Sequence, residues 1–536
     1  MSEADVTHSA RRWWALVAIA ASVLVVGLDL TVLNLALPTM SVSLHASTGD
    51  LQWIVDSYSL VLAALILPAG LLGDRYGRKR MLLLCLVLFG ASSAACAYAT
   101  SVGMLIAFRA VLGIGAAAIF PLALSVLPVL FPPEERQKAV AAIAGATMLS
   151  FPIGPIVGGF LLNHFWWGSV FLINVPIVVL ALFAVGFLMP ESRSAARPSI
   201  DLAGLLVSTV GLVALTYGFI KAGQDGWSDA AAAGLIAAGI VVLALLPLAE
   251  RQVARRGGQP LADLQLFRSP GFRWGTILAT LVSFAMFGIF FALPQYFQDV
   301  RGADALGSGV RLLPMVGGML VGMVGGTRLS SPRSSGAGRG GRPPLAGPRP
   351  LVTVGYLLMA AAMALGALTA PGSSTGYVLG WVALAGLGLG LIMPSAMGVA
   401  LGALSAERSG AGSALLTALR QVGSTVGVAV LGTVISNSYS GSVAGPAAHL
   451  PAQAAAAVRS SVGSGVAIAG KLGSPSLAGT VRTAFIHGMD LMLWTCGGVA
   501  VACAVLAVIV LRARDGRAAA EPEVGADAAA GSLPVG

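Results

Sequence analysis

Fourteen stretches of this chain are apolar for about the 20 residues that a helix needs to cross a bilayer core. They run roughly 13–38, 51–73, 81–100, 103–127, 138–163, 168–190, 201–221, 230–249, 273–297, 307–327, 350–370, 377–401, 410–436 and 484–511. In hydrocarbon the backbone must satisfy its own N–H and C=O groups, so such stretches can only be helices. Composition agrees. The 536 residues are 57% hydrophobic and 10% charged, with a mean hydropathy of +0.87, whereas soluble domains carry about 25% charged residues. The expectation is an all-α polytopic membrane protein, which excludes most soluble enzyme and binding classes.

The net charge of +10 looks like a nucleic-acid footprint until the charges are placed. With the N-terminus inside, 24 Lys and Arg fall on the cytoplasmic side, 6 outside and 2 within spans, as the positive-inside rule requires. One span more or fewer reverses that pattern downstream. Both termini are therefore expected in the cytoplasm and the chain in the cytoplasmic membrane. The segment RLSSPRSSGAGRGGRPPLAGPR, 328–349, has the composition of a disordered basic connector, and no nucleic-acid partner is expected. Residues 437–483, rich in Ala, Gly and Ser, read as an outer segment with a short surface helix, and 513–536 as a disordered tail. Arg11 and Arg12 precede an apolar run too long for a signal peptide, so the first span should stay in the membrane. The four cysteines lie in apolar runs without metal or CxxC spacing. No metal or cofactor is expected.

Charges inside the spans carry the chemistry. In LDLTVLNLALP, Leu28 to Pro38, the first span holds Asp29 and Asn34. A carboxylate at mid-bilayer costs roughly 2.5 to 3.5 kcal/mol on insertion scales and needs a wet cavity or a partner, which suits a group that takes up and releases protons. Arg109, in RAVLGIGAA, cannot deprotonate and also needs a partner. Asp29 is the first choice and Asp56 the second. Arg420 within span 13 likewise needs a partner, as a structural clamp or a substrate contact. Asp490 is expected to pair with His487 or Arg482.

Two stretches provide flexibility. GLLGDRYGRKR after span 2 has Gly70, Gly73 and Gly77 for turning, with Asp74 able to pair with Arg78. SFPIGPIVGGFL in span 5 has Gly154, Pro155, Gly158 and Gly159, which open a flat face and remove a helix hydrogen bond. Spans 1–6 and 9–14 read as two six-span halves with spans 7 and 8 inserted. The connectors after spans 2 and 10 occupy equivalent places, although the second lacks an acid matching Asp74.

These stretches together resemble the major facilitator superfamily. The first glycine-rich stretch resembles its loop motif, RAVLGIGAA its intramembrane arginine motif, with Leu112 where a glutamine is common, and SFPIGPIVGGFL its antiporter motif. LDLTVLNLALP, QWIVDSYSL, WWGSVFLINVP and LRQVGSTVGVAVLG further resemble the fourteen-span drug:proton antiporters. The resemblance implies a twelve-helix, two-lobed core with two extra helices, at 13–190, 201–249 and 273–512. It also implies alternating access and export of amphipathic small molecules against proton entry, with the proton gradient as energy source and the chain working as a monomer. Proton coupling is expected at Asp29, Arg109 and Asp56. The substrate cavity is expected to draw on Asn34, Trp53, Tyr58, Gln295, Tyr296, Arg420 and Gln421. Gating is expected at Gly70, Asp74, Arg75, Gly77, Arg78, Gly154, Pro155, Gly158 and Gly159. Spans 9 and 10 hold no acid, since Asp299 and Asp304 read as outer connector, which favours monocationic, zwitterionic or neutral substrates over dications. The alternative is an exporter dedicated to one metabolite, such as an amino acid, siderophore, sugar or self-made antibiotic. No HExxH, phosphate-binding loop or GxSxG in context points to an enzyme, and GLGLG, 386–390, lies inside span 12 as a packing face.

Overall fold

The computed structural model describes residues 3–192, 201–255, 264–330, 347–404 and 406–511. Those residues form helices and short connections. The helices are α1 (Glu3–Ser43), α2 (Thr48–Tyr76), α3 (Arg78–Ala97), α4 (Val102–Leu130), α5 (Pro133–His164), α6 (Ser169–Leu172), α7 (Asn174–Leu188), α8 (Leu202–Asp225) and α9 (Ala230–Arg255). They continue with α10 (Pro270–Gln295), α11 (Ala305–Ser330), α12 (Pro348–Gly366), α13 (Thr375–Leu401), α14 (Ala406–Ala447), α15 (Ala452–Ser460), α16 (Val462–Lys471) and α17 (Pro475–Val510). Thirteen described helical runs are long and apolar enough to cross a membrane, with α6 and α7 forming one of them. The other expected span is α2, 29 residues long, which is not among the thirteen and contains residues whose side chains lie outside the described ones.

Several boundaries differ from the sequence reading. Span 6 is broken at Ile173 between α6 and α7. Arg328 belongs to α11 and Arg349 to α12, while the middle of that connector, 331–346, and the tail 512–536 lie outside the described residues. Asp299 is not in a connector. Tyr296–Val300 continues α10 as a π turn, in which Arg301 N donates to Tyr296 O five residues back (3.0 Å). The segment 437–483 is not a surface loop either. The helix α14 runs on to Ala447, and α16 buries Val462, Gly463, Ser464, Gly465 and Ala469. Its glycines allow this: a Cβ on Gly465 would stand 2.6 Å from the Tyr439 hydroxyl.

The helices fall into two sets with matching partners. In the first, α4 packs on α2 and α3, and α5 on α1; in the second, α13 packs on α11 and α12, and α14 on α10. Glycines mark the equivalence. A Cβ on Gly113 would stand 2.7 Å from Tyr58 O on α2, and one on Gly115 2.9 Å from Cys85 O on α3. In the second set Gly386 meets Met315 on α11, and Gly388 would stand 2.6 Å from Gly355 O on α12. GLGLG is therefore a packing face. Likewise Gly154 and Gly158 of α5 meet Thr31 and Val32 of α1, as Gly423 and Gly427 of α14 meet Thr280 and Phe284 of α10. The sets join where α5 meets α11 and α2 meets α14, and α8 lies against both α2 and α14. Thr433 Oγ1 donates to Phe219 O of α8 (2.8 Å).

Lipid tails are as apolar as leucine, so helix association here depends on close van der Waals contact. Gly427→Val should therefore destabilise the fold by about 1–3 kcal/mol, the usual cost of overpacking. The expected result is a lower unfolding midpoint in detergent for Gly427→Val and none for Gly498→Ala, where an added Cβ meets nothing within 4 Å.

Candidate functional site

At the middle of α1, Asp29 is buried, and Arg109 of α4 donates from Nη1 to Asp29 Oδ2 as an ion pair. Arg109 Nε donates to Ile54 O of α2 (3.1 Å), and its guanidinium lies over the Tyr58 ring, 4.4 Å from the centroid. Asn174, which opens α7, donates from Nδ2 to Asp29 Oδ1 (3.3 Å) and to Ser93 Oγ (3.1 Å); Ser93 in turn donates to Phe171 O (2.8 Å). Six helices of the first set, α1, α2, α3, α4, α6 and α7, thus converge on one ion pair. Sequence reasoning missed Asn174 and Ser93. The available signal was an asparagine inside an otherwise apolar span, in FLINVP.

Asp56 does not join this cluster. It sits one turn from Gln52, whose Nε2 donates across the seam to Val428 O (3.1 Å) and Ala429 O (2.9 Å) of α14. Asp56 is fully buried, and neither carboxyl oxygen has a hydrogen-bond partner. Tyr58 lies under Arg109 rather than beside the second set, because it occupies the α4-facing side of α2. Trp53 stacks against Tyr217 of α8 with ring centroids 5.9 Å apart. Asn34 Nδ2 turns back to Leu30 O (2.8 Å), and Gln295 Nε2 to Phe291 O (2.9 Å). Tyr296 is fully buried, edge-on to Phe297. Arg420 is half-buried; among the described residues its polar contacts are to neutral groups, Ser283 Oγ (3.4 Å) and Met397 Sδ (3.7 Å), and the neighbouring Gln421 Nε2 lacks an acceptor. Asp490 Oδ1 and Arg482 Nε each lack a hydrogen-bond partner, and among the described residues no ion pair joins them.

The gating stretches have defined neighbours. Gly77 has φ +111°, a conformation that suits glycine. Beside it Glu191, not anticipated from sequence, accepts from Lys79 N (3.2 Å) and lies 3.7 Å from Arg80 Nε. Arg78 N donates to Ser192 O (2.9 Å). The side chain of Asp74 lies outside the described residues, Arg75 covers the Tyr76 ring, and Gly70 faces Pro121. On α5, Gly154 and Gly158 face α1, while a Cβ on Gly159 would stand 2.6 Å from Leu306 Cα of α11 and Gly309 meets the Pro155 carbonyl. This stretch therefore joins α1, α5 and α11. It lies toward the face opposite the chain ends, called the far face below. There Asn163 donates to Asp304 and Gln298 to Leu35 O (2.9 Å), and Ser41 and Ser461 hydroxyls bond at 2.7 Å.

A family model described as Major Facilitator Superfamily matches residues 19–428. The chain is 34% identical to the tetracenomycin C resistance and export protein of Streptomyces glaucescens, covering 95% of this chain and 94% of the relative. It is 34% identical to the multidrug efflux pump LfrA of Mycolicibacterium smegmatis (89% and 92% covered). It is 31% identical to the methyl viologen resistance protein SmvA of Salmonella typhimurium (92% and 97%). Among solved structures, a bacterial homologue of the human lysosomal transporter Spinster, inward-facing and occupied, superposes with a TM-score of 0.67 at 16% identity (94% and 97%). A D-xylose-proton symporter gives 0.60 at 15% identity (93% and 97%). At these identities the two structures speak to fold alone.

Removing one partner of a buried ion pair leaves the other uncompensated, at a cost of about 3–5 kcal/mol. Asp29→Asn and Arg109→Gln are each expected to lower stability by that order, and the double substitution by clearly less than their sum. A double-mutant cycle on SDS-induced unfolding reads the difference; additive effects would mean that the pair is not coupled.

Proposed function

The chain belongs to the Major Facilitator Superfamily, and we propose that it is a proton-driven antiporter that exports drug-like or antibiotic-like amphipathic molecules. Resistance and export proteins at 31–34% identity over nearly the whole chain support the export reading. The observation that carries proton coupling is the buried Asp29–Arg109 pair. A proton on Asp29 would remove the counter-charge from a guanidinium held otherwise, among the described residues, by a carbonyl and the faces of Tyr58 and Phe171. A cation left so poorly compensated in the membrane is costly, and the cost falls when the packing of α1, α2, α4 and α7 changes. Proton uptake and helix rearrangement are then one event. Asp56, buried without a partner on the seam helix α2, is the second acid that can take part.

The two helix sets act as lobes that rock about the bound molecule, exposing it to each side of the cytoplasmic membrane in turn. With both chain ends in the cytoplasm, the far face is the outside, closed in this structure along α5–α11 and α2–α14. The working unit is one chain, and the proton gradient supplies the energy without a cofactor. A second reading, export of one self-made antibiotic, is favoured by the relative named for tetracenomycin C.

Efflux of ethidium from energised cells lacking their own pumps tests both readings. Wild type is expected to expel the dye, and either an uncoupler or Asp29→Asn at equal expression to stop it. Efflux that survives the uncoupler would refute proton drive. An inactive wild type that still confers resistance to one antibiotic would leave the dedicated exporter.

A further inference from the structure

We infer that Arg420 sets substrate charge preference by meeting an anionic oxygen of a planar aromatic substrate whose rings lie along α10 toward Phe151 and Phe290. The inference rests on the export reading and names a substrate class for it. Phe151 stands three residues before Gly154 on α5, and Arg420 three residues before Gly423 on α14. These glycines pack α5 on α1 and α14 on α10, so the two side chains hold comparable places on the corresponding helices of the two lobes. At the first place the position looks across the seam, since the Phe151 ring lies 6.4 Å from the ring of Phe290 on α10.

Arg420 occupies its place with an unmet need. A guanidinium stays charged and, at membrane depth, calls for an anion. Among the described residues no ion pair reaches it. Its contacts are a hydroxyl at 3.4 Å and a thioether at 3.7 Å, both neutral and long. Beside it Gln421 Nε2 has no acceptor. A guanidinium met by long contacts to neutral groups, with the next residue's amide lacking an acceptor, points to a ligand that brings acceptor oxygens. The fixed fork of an arginine suits a carboxylate or an ionised phenol.

The distance fits a fused-ring molecule. Ser283, Phe287 and Phe290 lie on one face of α10 at i, i+4 and i+7, so the Arg420 end and the Phe290 end are about 10 Å apart along the helix. At the far end the half-buried Phe151 ring, packed on the buried Phe290, supplies an apolar face for stacking. The chemistry is therefore a flat aromatic body with an acidic oxygen at one end. The sequence reading names monocationic, zwitterionic and neutral compounds because it expects no acid in spans 9 and 10, whereas Asp299 lies in the helical continuation of α10; an anionic end adds a class which that reading does not name.

The test uses the full chain in lipid nanodiscs, with fluorescein as the anionic planar probe and ethidium as the cationic one. Arg420→Gln is expected to weaken fluorescein binding about 10- to 100-fold, the scale of a lost charge-assisted hydrogen bond, and ethidium binding by clearly less. Arg420→Lys, which keeps the charge, should retain part of the fluorescein affinity. Equal weakening of both probes would make Arg420 a scaffold residue and overturn the inference. So would a wild type that does not bind fluorescein, or an Asp56→Asn variant that reproduces the whole Arg420→Gln pattern, since Arg420 would then serve as a latch for Asp56. Binding needs no gradient, so the two readings fail separately. Ethidium efflux without fluorescein binding removes only this inference, and Arg420-dependent fluorescein binding without efflux of either dye removes only the export reading.

Discussion

Helices in lipid gain nothing from burying leucine against leucine, so this molecule holds together by bringing backbones close. The sites where that happens are glycines. Gly113 and Gly115 let α4 lie against α2 and α3, and Gly386 and Gly388 let α13 lie against α11 and α12. Gly154 with Gly158, and Gly423 with Gly427, do the same for α5 on α1 and α14 on α10. The architecture is one packing unit used twice, and the seam between its copies is made the same way. Gly159 and Gly309 bring α5 to α11, and a Cβ on Gly432 would fall among the atoms of Gln52 where α14 meets α2.

The scaffold repeats, but the chemistry does not. Asp29 stands two residues before Thr31, the residue that meets Gly154. On α10, which takes the place of α1 in the second set, no acid stands between Pro270 and Gln295. Arg109 stands four residues before Gly113, and four before Gly386 stands Val382, also fully buried. A buried ion pair adds little to stability, because desolvating both charges offsets their attraction, and an apolar pair of similar volume does as well or better. The second copy has taken the apolar solution. The first has kept the charges at a place where stability alone would not retain them, which is the physical reason to assign them a role. Arg420 and Phe151 differ in the opposite sense, with the charge in the second copy.

The spans were legible because crossing a bilayer leaves a strong hydropathy signal, and the Asp29–Arg109 contact because so few charges lie inside spans that each has few possible partners. What was illegible lacks such signals. The extension of α14 and the buried face of α16 are built from Ala, Gly and Ser, which read as a loop by composition and pack as helix by size. The duplication was sought in the connectors, where the acid at Asp74 has no counterpart, and is instead written in the spacing of interior glycines. Tyr58 was assigned to a cavity because its helix was known and its side of the helix was not. Nothing in the sequence singles out Glu191, which only the fold brings to Lys79 and Arg80.

The far-face seam also shows why closure can be reversible. Gln52 bonds to backbone carbonyls of α14, Gln298 to that of Leu35, Thr48 to that of Ser460, and Ser41 to the Ser461 hydroxyl. Each is a neutral hydrogen bond, worth about 0.5–1.5 kcal/mol net. An ion pair fully buried in the same place would, once separated, leave two uncompensated charges at a cost of several kcal/mol each. A seam made mostly of such bonds, with the Asp304 carboxylate that Asn163 meets left exposed, would open instead for an energy of the same order as ligand or proton binding can supply, typically about 1–3 kcal/mol per coupled event. Folding the α15–α16 segment down onto α1 and α2 adds further bonds of this weak kind to the closed state. The seam is thereby strengthened in small steps, none of which would strand a buried charge if it were broken.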